Sequence, residues 1–479
     1  MMNFTWKEIA RACGGELVLR GNAGGEDSCV SSVVIDSRLA EARGVFIATL
    51  GERVDGHKFI TDVFSKGAAL VITQKTPEQV EAEHGCKASE WGSYILVADT
   101  LQALKEIAEA YRRKLSVRVV GITGSVGKTS TKEFIASVLA EKYQVLKTEG
   151  NFNNEIGVPL TLLRIRPEHE LAVVEMGISD FGEMHRLSKM ARPNICVMTN
   201  IGQSHLNNLK DRDGILRAKS EIFDFMAEDG EICLNGEDDK LAALREIKGH
   251  IPHFFGLGTD SGEEVSVTDI VGRGLEGSDA VLVMKQAEGE NMRQQIHIPL
   301  PGRHMALNAA AAACVGRLLG LSGEEIAAGI GKAGLMTGRT NVIRLPRYTL
   351  IDDCYNANPV SMKAAIDLLA LADTTKVAIL GDMLNLGENS HRYHKEAGSH
   401  AAASGIDHIL CVGEESRHMF WAAANNAEET MKISHYPDTE TLLRSLSSDS
   451  GELVPEGSTV LIKASHDMGF VKVLEFLRS

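Results

Sequence analysis

The stretch "TGSVGKTST", Thr123–Thr131, lies between the apolar run "VRVVGI" and "KEFIASVLAEK", whose apolar residues recur at helical spacing. Strand, glycine-bearing turn and helix in that order build a phosphate cradle. Glycine lets backbone N–H groups converge on an anion, the helix start adds the positive end of its dipole, and a lysine adds a point charge. Gly124, Ser125, Val126, Gly127, Lys128, Thr129 and Ser130 are therefore the expected nucleotide-binding residues, with the Thr129 hydroxyl placed to ligate Mg2+. The strict pattern GxxxxGK[ST] asks for glycine at position 122, where this chain has Ile122, so the loop is a TGxxGKT variant.

Around this loop, apolar runs alternate with helical segments: "YQVLKT", "ELAVVEMG", "NICVMTNIG" and "EICLNG". Strands apolar throughout belong in a parallel sheet covered on both faces, so the fold class is α/β. At 479 residues the chain exceeds one core, because domains run roughly 100 to 200 residues, and three are expected. Residues 1–100 read as a small α/β unit. Residues 101–336 read as a P-loop-type parallel-sheet ATPase domain, with an antiparallel patch added between about His253 and Leu300. Residues 337–479 ("YTLIDDCYNANPVSMKAAIDLLALA", "KVAILGD", "GIDHILCVG") read as a doubly wound, Rossmann-like domain.

Composition narrows the function. A net charge of -15 repels polyanions, which argues against nucleic-acid binding. Eight scattered cysteines without a CxxC pair fit a reducing compartment. The start, "MMNFTWKEIARACGGELVL", carries charges where a secretory signal needs an apolar stretch, and "MALNAAAAACVGRLLGL" is interrupted by Asn308 and Arg317, short of the roughly 20 residues that span a bilayer. A cytoplasmic protein without membrane insertion is expected.

A P-loop needs a carboxylate to complete its metal site, and Glu175 follows the buried-looking run "LAVV" at the carboxyl end of a strand, where ligands collect in open sheets. His205, in "TNIGQSHL", also follows an apolar strand and is a candidate for the same crevice. Lys219, in "DGILRAKSEIFDFM", shares a helical face with Ile215, Ile222 and Phe223. An ammonium on an apolar stripe snorkels, finds a partner, or loses its proton. A neutral amine adds carbon dioxide to become a carbamate, chemically a carboxylate and a metal ligand. No Ser-His-Asp or Cys-His arrangement for covalent catalysis stands out. Rival readings are an ATP-driven switch, for which no partner-binding signature loop is found, and a non-catalytic nucleotide-sugar module, which leaves the phosphate loop, Glu175 and His205 without a purpose.

Taken together, "DSR", "GERVDGHKFI", "GITGSVGKTSTKEF", "TEGNFNNEIGVPLTLL", "VVEMG", "TNIGQSHL", "AKSEIF", "GRT", "IDDCYNANPVSM" and "LGDMLNLGENS" resemble the Mur ligases, ATP-dependent peptide-bond formers of cell-wall precursor synthesis. "DDCYNANP" and "LGDMLNLGE" resemble the branch that adds D-Ala-D-Ala to UDP-MurNAc-tripeptide. The runner-up is the sister ligase adding the third stem residue, diaminopimelate or lysine. The resemblance implies that Lys128, Glu175, His205 and a carbamylated Lys219 carry the chemistry. Thr129, Glu175, His205 and Lys219 would serve two Mg2+ ions. Asn308, Arg339 and Asp353 would contact ATP on its adenine, γ-phosphate and ribose sides. Ser37 and Arg38 would lie near the uridine diphosphate, and Asn153 or Asn154 near the central cleft, which of the two being open. It also implies a monomer whose C-terminal domain closes on ATP about a hinge near Thr337 and Gly338. The chain departs from the family at "KASHDMGF", where His466 stands in place of an arginine.

Overall fold

The computed structural model describes residues 2–21, 24–51, 54–203, 206–258, 263–286, 288–334, 341–427 and 429–479. Three sheets follow one another along the chain. The first has five short strands, with Val33–Val34, Val45–Ile47, Leu70–Thr73 and Ser93–Leu96 parallel and Glu16–Val18 antiparallel at its edge. The second has nine strands. The strand before the phosphate loop, Arg118–Thr123, lies between Leu171–Glu175 and Ile195–Met198, so the loops leaving all three meet at one carboxyl edge. Val119, Val120, Ile122 and all of Leu171–Val174 are buried, which explains why these strands read as continuous apolar runs rather than alternating ones. The third sheet has six strands, parallel except for its edge Asn341–Arg344.

The antiparallel patch differs from expectation in extent. His253–Leu257 and Val265–Gly272 continue the parallel sheet, and only Ser278–Met284 and Met292–Ile298 run antiparallel to their neighbours, as an extension of the same nine strands. A short apolar strand reads the same whichever way its neighbour runs.

The cores show how the domains are joined. The helix Thr100–Arg113, capped by the Asp99 carboxylate, lays Leu104, Ile107 and Tyr111 against both the first unit and the central sheet, and Phe4 meets Tyr111 with ring centroids 5.4 Å apart. One apolar cluster therefore runs from Met2 to Leu241. The C-terminal sheet has cores of its own on its two faces. Its contacts with the central domain include the turn Gly274–Glu276 of the antiparallel extension: Leu275 packs against the C-terminal core, and Glu276 pairs with Arg344 at 3.4 Å.

Candidate active site

A cleft of about 740 Å3 opens between the central and C-terminal domains, with the phosphate loop as its floor. Gly124, at φ 150°, holds the loop in a conformation that side chains rarely adopt, and a Cβ there would stand 1.9 Å from Thr199 Oγ1. Gly127, at φ 82°, caps the helix Lys128–Leu139 and turns its first N–H groups toward the loop. The loop is clamped from the next strand end. Thr199 Oγ1 and Asn200 Nδ2 donate to the Val126 carbonyl at 2.7 and 3.1 Å, Val126 N donates to Asn200 Oδ1 at 2.9 Å, and Ser125 Oγ accepts from Gly202 N at 2.9 Å. Sequence reading missed Thr199 and Asn200; their signal is their place, directly after the apolar strand "ICVM".

Lys128 folds back over the loop and donates to the Gly124 carbonyl at 2.8 Å. Glu175, fully buried, accepts from Thr129 Oγ1 at 2.9 Å and from Asn153 Nδ2 at 2.8 Å. That separates the two neighbouring asparagines: Asn153 faces the carboxylate, while Asn154 Oδ1 accepts from Ile156 N and Gly157 N at the start of the helix Gly157–Leu163. Lys219 is buried, and among the described residues its ammonium has no hydrogen-bond or ion-pair partner. Burial, reinforced by the charge of Lys128, holds its pKa well below the usual lysine range, so the snorkelling alternative does not apply.

The opposite wall comes from the C-terminal domain. Asp353, at the end of the strand Thr349–Asp353, pairs with the buried ammonium of Lys463. His304, an exposed side chain, lines the cleft from the central side. His466 lies against the ring of Tyr355, a cleft residue, with centroids 5.6 Å apart. Asn308 is buried beside the loop, its Oδ1 accepting from Thr131 Oγ1 at 3.0 Å. Ser130 lines the cleft with Ser125, Val126 and Gly127.

Ser37 and Arg38 sit elsewhere, in the 3-10 turn Ser37–Leu39 that follows the strand Val33–Val34 of the first sheet. Ser37 is buried and its carbonyl accepts from Lys66 Nζ at 2.9 Å, while exposed Arg38 makes a two-pronged pair with Asp36. Neither lines this cleft. His205, Arg339 and the expected hinge at Thr337 and Gly338 lie outside the described residues.

The donor set at Glu175 fits a divalent cation. Mg2+ takes oxygen ligands at about 2.0–2.1 Å in an octahedron, whose edge is then about 3 Å. The Thr129 hydroxyl and the Glu175 carboxylate present two oxygens 2.9 Å apart.

Comparisons with known proteins agree with this geometry along the whole chain. Residues 30–112 match the Mur ligase family catalytic domain, residues 122–316 the Mur ligase middle domain, and residues 338–466 the Mur ligase glutamate ligase domain. The chain is 34% identical over 480 residues to the UDP-N-acetylmuramoyl-tripeptide–D-alanyl-D-alanine ligase of Bacillus subtilis, covering 100% of this chain and 99% of that protein. Its fold is similar to that of MurF from Acinetobacter baumannii, with a TM-score of 0.82 at 31% identity over 99% of this chain and 98% of that one. A MurF ligase from Thermotoga maritima, solved in complex with ADP, matches with a TM-score of 0.74 at 28% identity over 93% and 97% of the two chains. A buried carboxylate beside a phosphate loop, and relatives aligned from end to end, lead to one conclusion: this chain belongs to the Mur ligase family.

Proposed function

We propose that this chain is an ATP-dependent ligase that joins D-Ala-D-Ala to UDP-MurNAc-tripeptide in peptidoglycan precursor synthesis, with release of ADP and phosphate. The end-to-end likeness to ligases of that branch supports the reading. The observation that carries it is the buried pair of Thr129 and Glu175, joined by half-buried Asn153, at a cleft whose opposite wall is a second domain. The sister ligase that adds the third stem residue is the alternative.

The chemical difficulty is an inert carboxylate that must approach a polyanionic nucleotide. Like unit charges about 4 Å apart repel by several kcal/mol at intermediate dielectric. The N–H groups of the loop from Gly124 to Ser130 and the ammonium of Lys128 receive the ATP phosphates. Thr129 and Glu175 hold one Mg2+, and His205 and Lys219 serve a second; bound Mg2+ neutralises charge on the phosphates and on the acid. The γ-phosphoryl group passes to the tripeptide carboxylate, giving an acyl phosphate, and the amine of D-Ala-D-Ala displaces phosphate to leave the amide. The low pKa of Lys219 supports a carbamate: its neutral Nζ bonds to the carbon of CO2 and a proton leaves to solvent.

Asn308 serves the adenine side, Asp353 the ribose and Arg339 the γ-phosphate, where a guanidinium suits an oxyanion. Ser37 and Arg38 serve the uridine diphosphate. In this reading residues 1–100 bind the nucleotide sugar, 101–336 bind ATP, and 337–479 close over it and present the dipeptide, in a cytoplasmic monomer. Closure excludes water from the acyl phosphate. No described helix is long and apolar enough to cross a membrane.

Phosphate release from ATP, measured with a panel of UDP-muramoyl peptides each paired with free amino acids or D-Ala-D-Ala, tests the function. Turnover is expected only with the tripeptide and D-Ala-D-Ala together. Full-speed ATP hydrolysis without either co-substrate, or turnover with diaminopimelate or lysine as acceptor, overturns it.

A further inference from the structure

Thr148 lies one residue beyond the edge strand Val145–Lys147 and is fully buried. All three of its hydrogen-bonding groups are engaged. Its N–H donates to the Val173 carbonyl at 3.0 Å, its carbonyl accepts from Lys132 Nζ at 2.7 Å, and its Oγ1 accepts from the backbone N–H of Glu175 at 3.0 Å. The last contact has a structural cause. In the parallel ladder Lys147 is paired with Val173, after which the edge strand ends, so the Glu175 N–H on that side has no backbone acceptor in line. The neighbouring Met176 N–H points the other way, to Ile122 O at 2.8 Å. The Thr148 hydroxyl takes the place of the missing carbonyl. This lets the chain leave the sheet and return Asn153 to the same strand end, where its side chain meets Glu175 Oε1 and its carbonyl accepts from Gly177 N at 2.8 Å.

Lys132 holds the arrangement from behind. Its ammonium is fully buried one helical turn after Lys128, 3.1 Å from Glu133 Oε1, and Lys147 grips Glu133 from outside. Phosphate-loop helix, edge strand and carboxylate-bearing strand are thus tied together at Thr148.

We propose that Thr148 is a positioning residue for the metal: its hydroxyl fixes the backbone of Glu175 and thereby the carboxylate facing Thr129, with Lys132 anchoring Thr148 in turn. The inference rests on the reading of Glu175 as a Mg2+ ligand. Partners that orient a ligand typically change metal affinity by about 10- to 100-fold when removed.

The test is calorimetric binding of ADP to the full chain across a Mg2+ titration, a readout that needs no turnover. Thr148→Val, near-isosteric but without an acceptor, is expected to raise the Mg2+ concentration for half-maximal enhancement of ADP binding by about tenfold, while metal-free ADP binding stays unchanged. Thr148→Ser restores the parent value. Should the valine variant fail to fold, Thr148→Cys, whose sulfur is a weak acceptor, carries the same expectation with a smaller shift. A folded valine or cysteine variant with the parent's Mg2+ dependence overturns the inference, as does equal loss of ADP binding with and without metal. If ADP binding by the parent chain itself ignores Mg2+, the metal reading of Glu175 falls, and the inference with it.

Discussion

Tyr393, on the helix Ser390–Ala403 of the C-terminal domain, donates its hydroxyl to Gln203 Oε1 at 2.8 Å, in the loop that follows Ile195–Met198. The residue before Gln203, Gly202, donates its N–H to Ser125 in the phosphate loop. Tyr393, Gln203, Gly202 and Ser125 thus connect the C-terminal domain to the phosphate loop. A neutral hydrogen bond contributes about 1 kcal/mol net, a factor of about five in an equilibrium. Tyr393→Phe is expected to lower the ratio of closed to open form by that factor, seen as a larger radius of gyration in scattering with bound nucleotide and a raised KM for ATP. Identical scattering for variant and parent would falsify the link.

Gly124→Ala tests the floor of the cleft. The added methyl group meets Thr199 Oγ1 at 1.9 Å, on a backbone conformation that alanine resists, so the loop must move. ADP binding is expected to fall at least tenfold with the rest of the fold retained, as circular dichroism and calorimetry will show. Binding within twofold of the parent contradicts the loop assignment.

The two asparagines after "EGNF" should separate cleanly. Asn153→Ala removes the donor to Glu175 Oε1 and should lower kcat about tenfold or more. Asn154→Ala removes a helix cap, at a cost of about 1 kcal/mol, and should lower the melting temperature with kcat near the parent's. The reverse pattern would contradict the geometry.

Lys219 should show a trade between stability and function. Its pKa is depressed in the folded chain, so the unfolded chain binds the extra proton over the range from that lowered value up to the ordinary one, and stability contributed at this site rises with pH across that range. Lys219→Met is expected to raise the melting temperature at pH 7 by about 3 °C while activity is lost. Lys219→Ala should regain part of its activity with added short carboxylic acids. An active Lys219→Met enzyme would remove the ligand role.

His253 provides a second pH signature. It bridges Glu264 at 2.9 Å and Glu231 at 3.0 Å, and the hydrogen bond its ring donates to Glu264, against burial, raises its pKa to about 9. A pKa raised on folding contributes stability in full below about 6.5, the unfolded value, and loses it as pH climbs to about 9. His253→Gln should therefore flatten the decline in melting temperature between pH 6.5 and 9, and an unchanged decline would show that other groups cause it.

Which of these features could be read from the chain follows from their range. The phosphate loop and Glu175 are local patterns, a strand followed by a turn, and their placement needs only an apolar run and its end. Thr199 and Asn200 depend on Arg118–Thr123 lying beside Ile195–Met198, and Thr148 on Val145–Lys147 pairing with Leu171–Glu175, an order that periodicity does not carry. Asn153 and Asn154 differ only in the direction each side chain takes from a short loop. The direction of His253–Leu257 was likewise hidden, because strand polarity leaves no mark on composition.

Leu275 gives the two-part molecule a fulcrum. The turn at Leu275 packs against the C-terminal core, so a swing of that domain is guided by this contact. Leu275→Gly, by releasing one bearing, should widen the range of interdomain angles seen by pairwise distance measurements and turn a guided stroke into a loose tether.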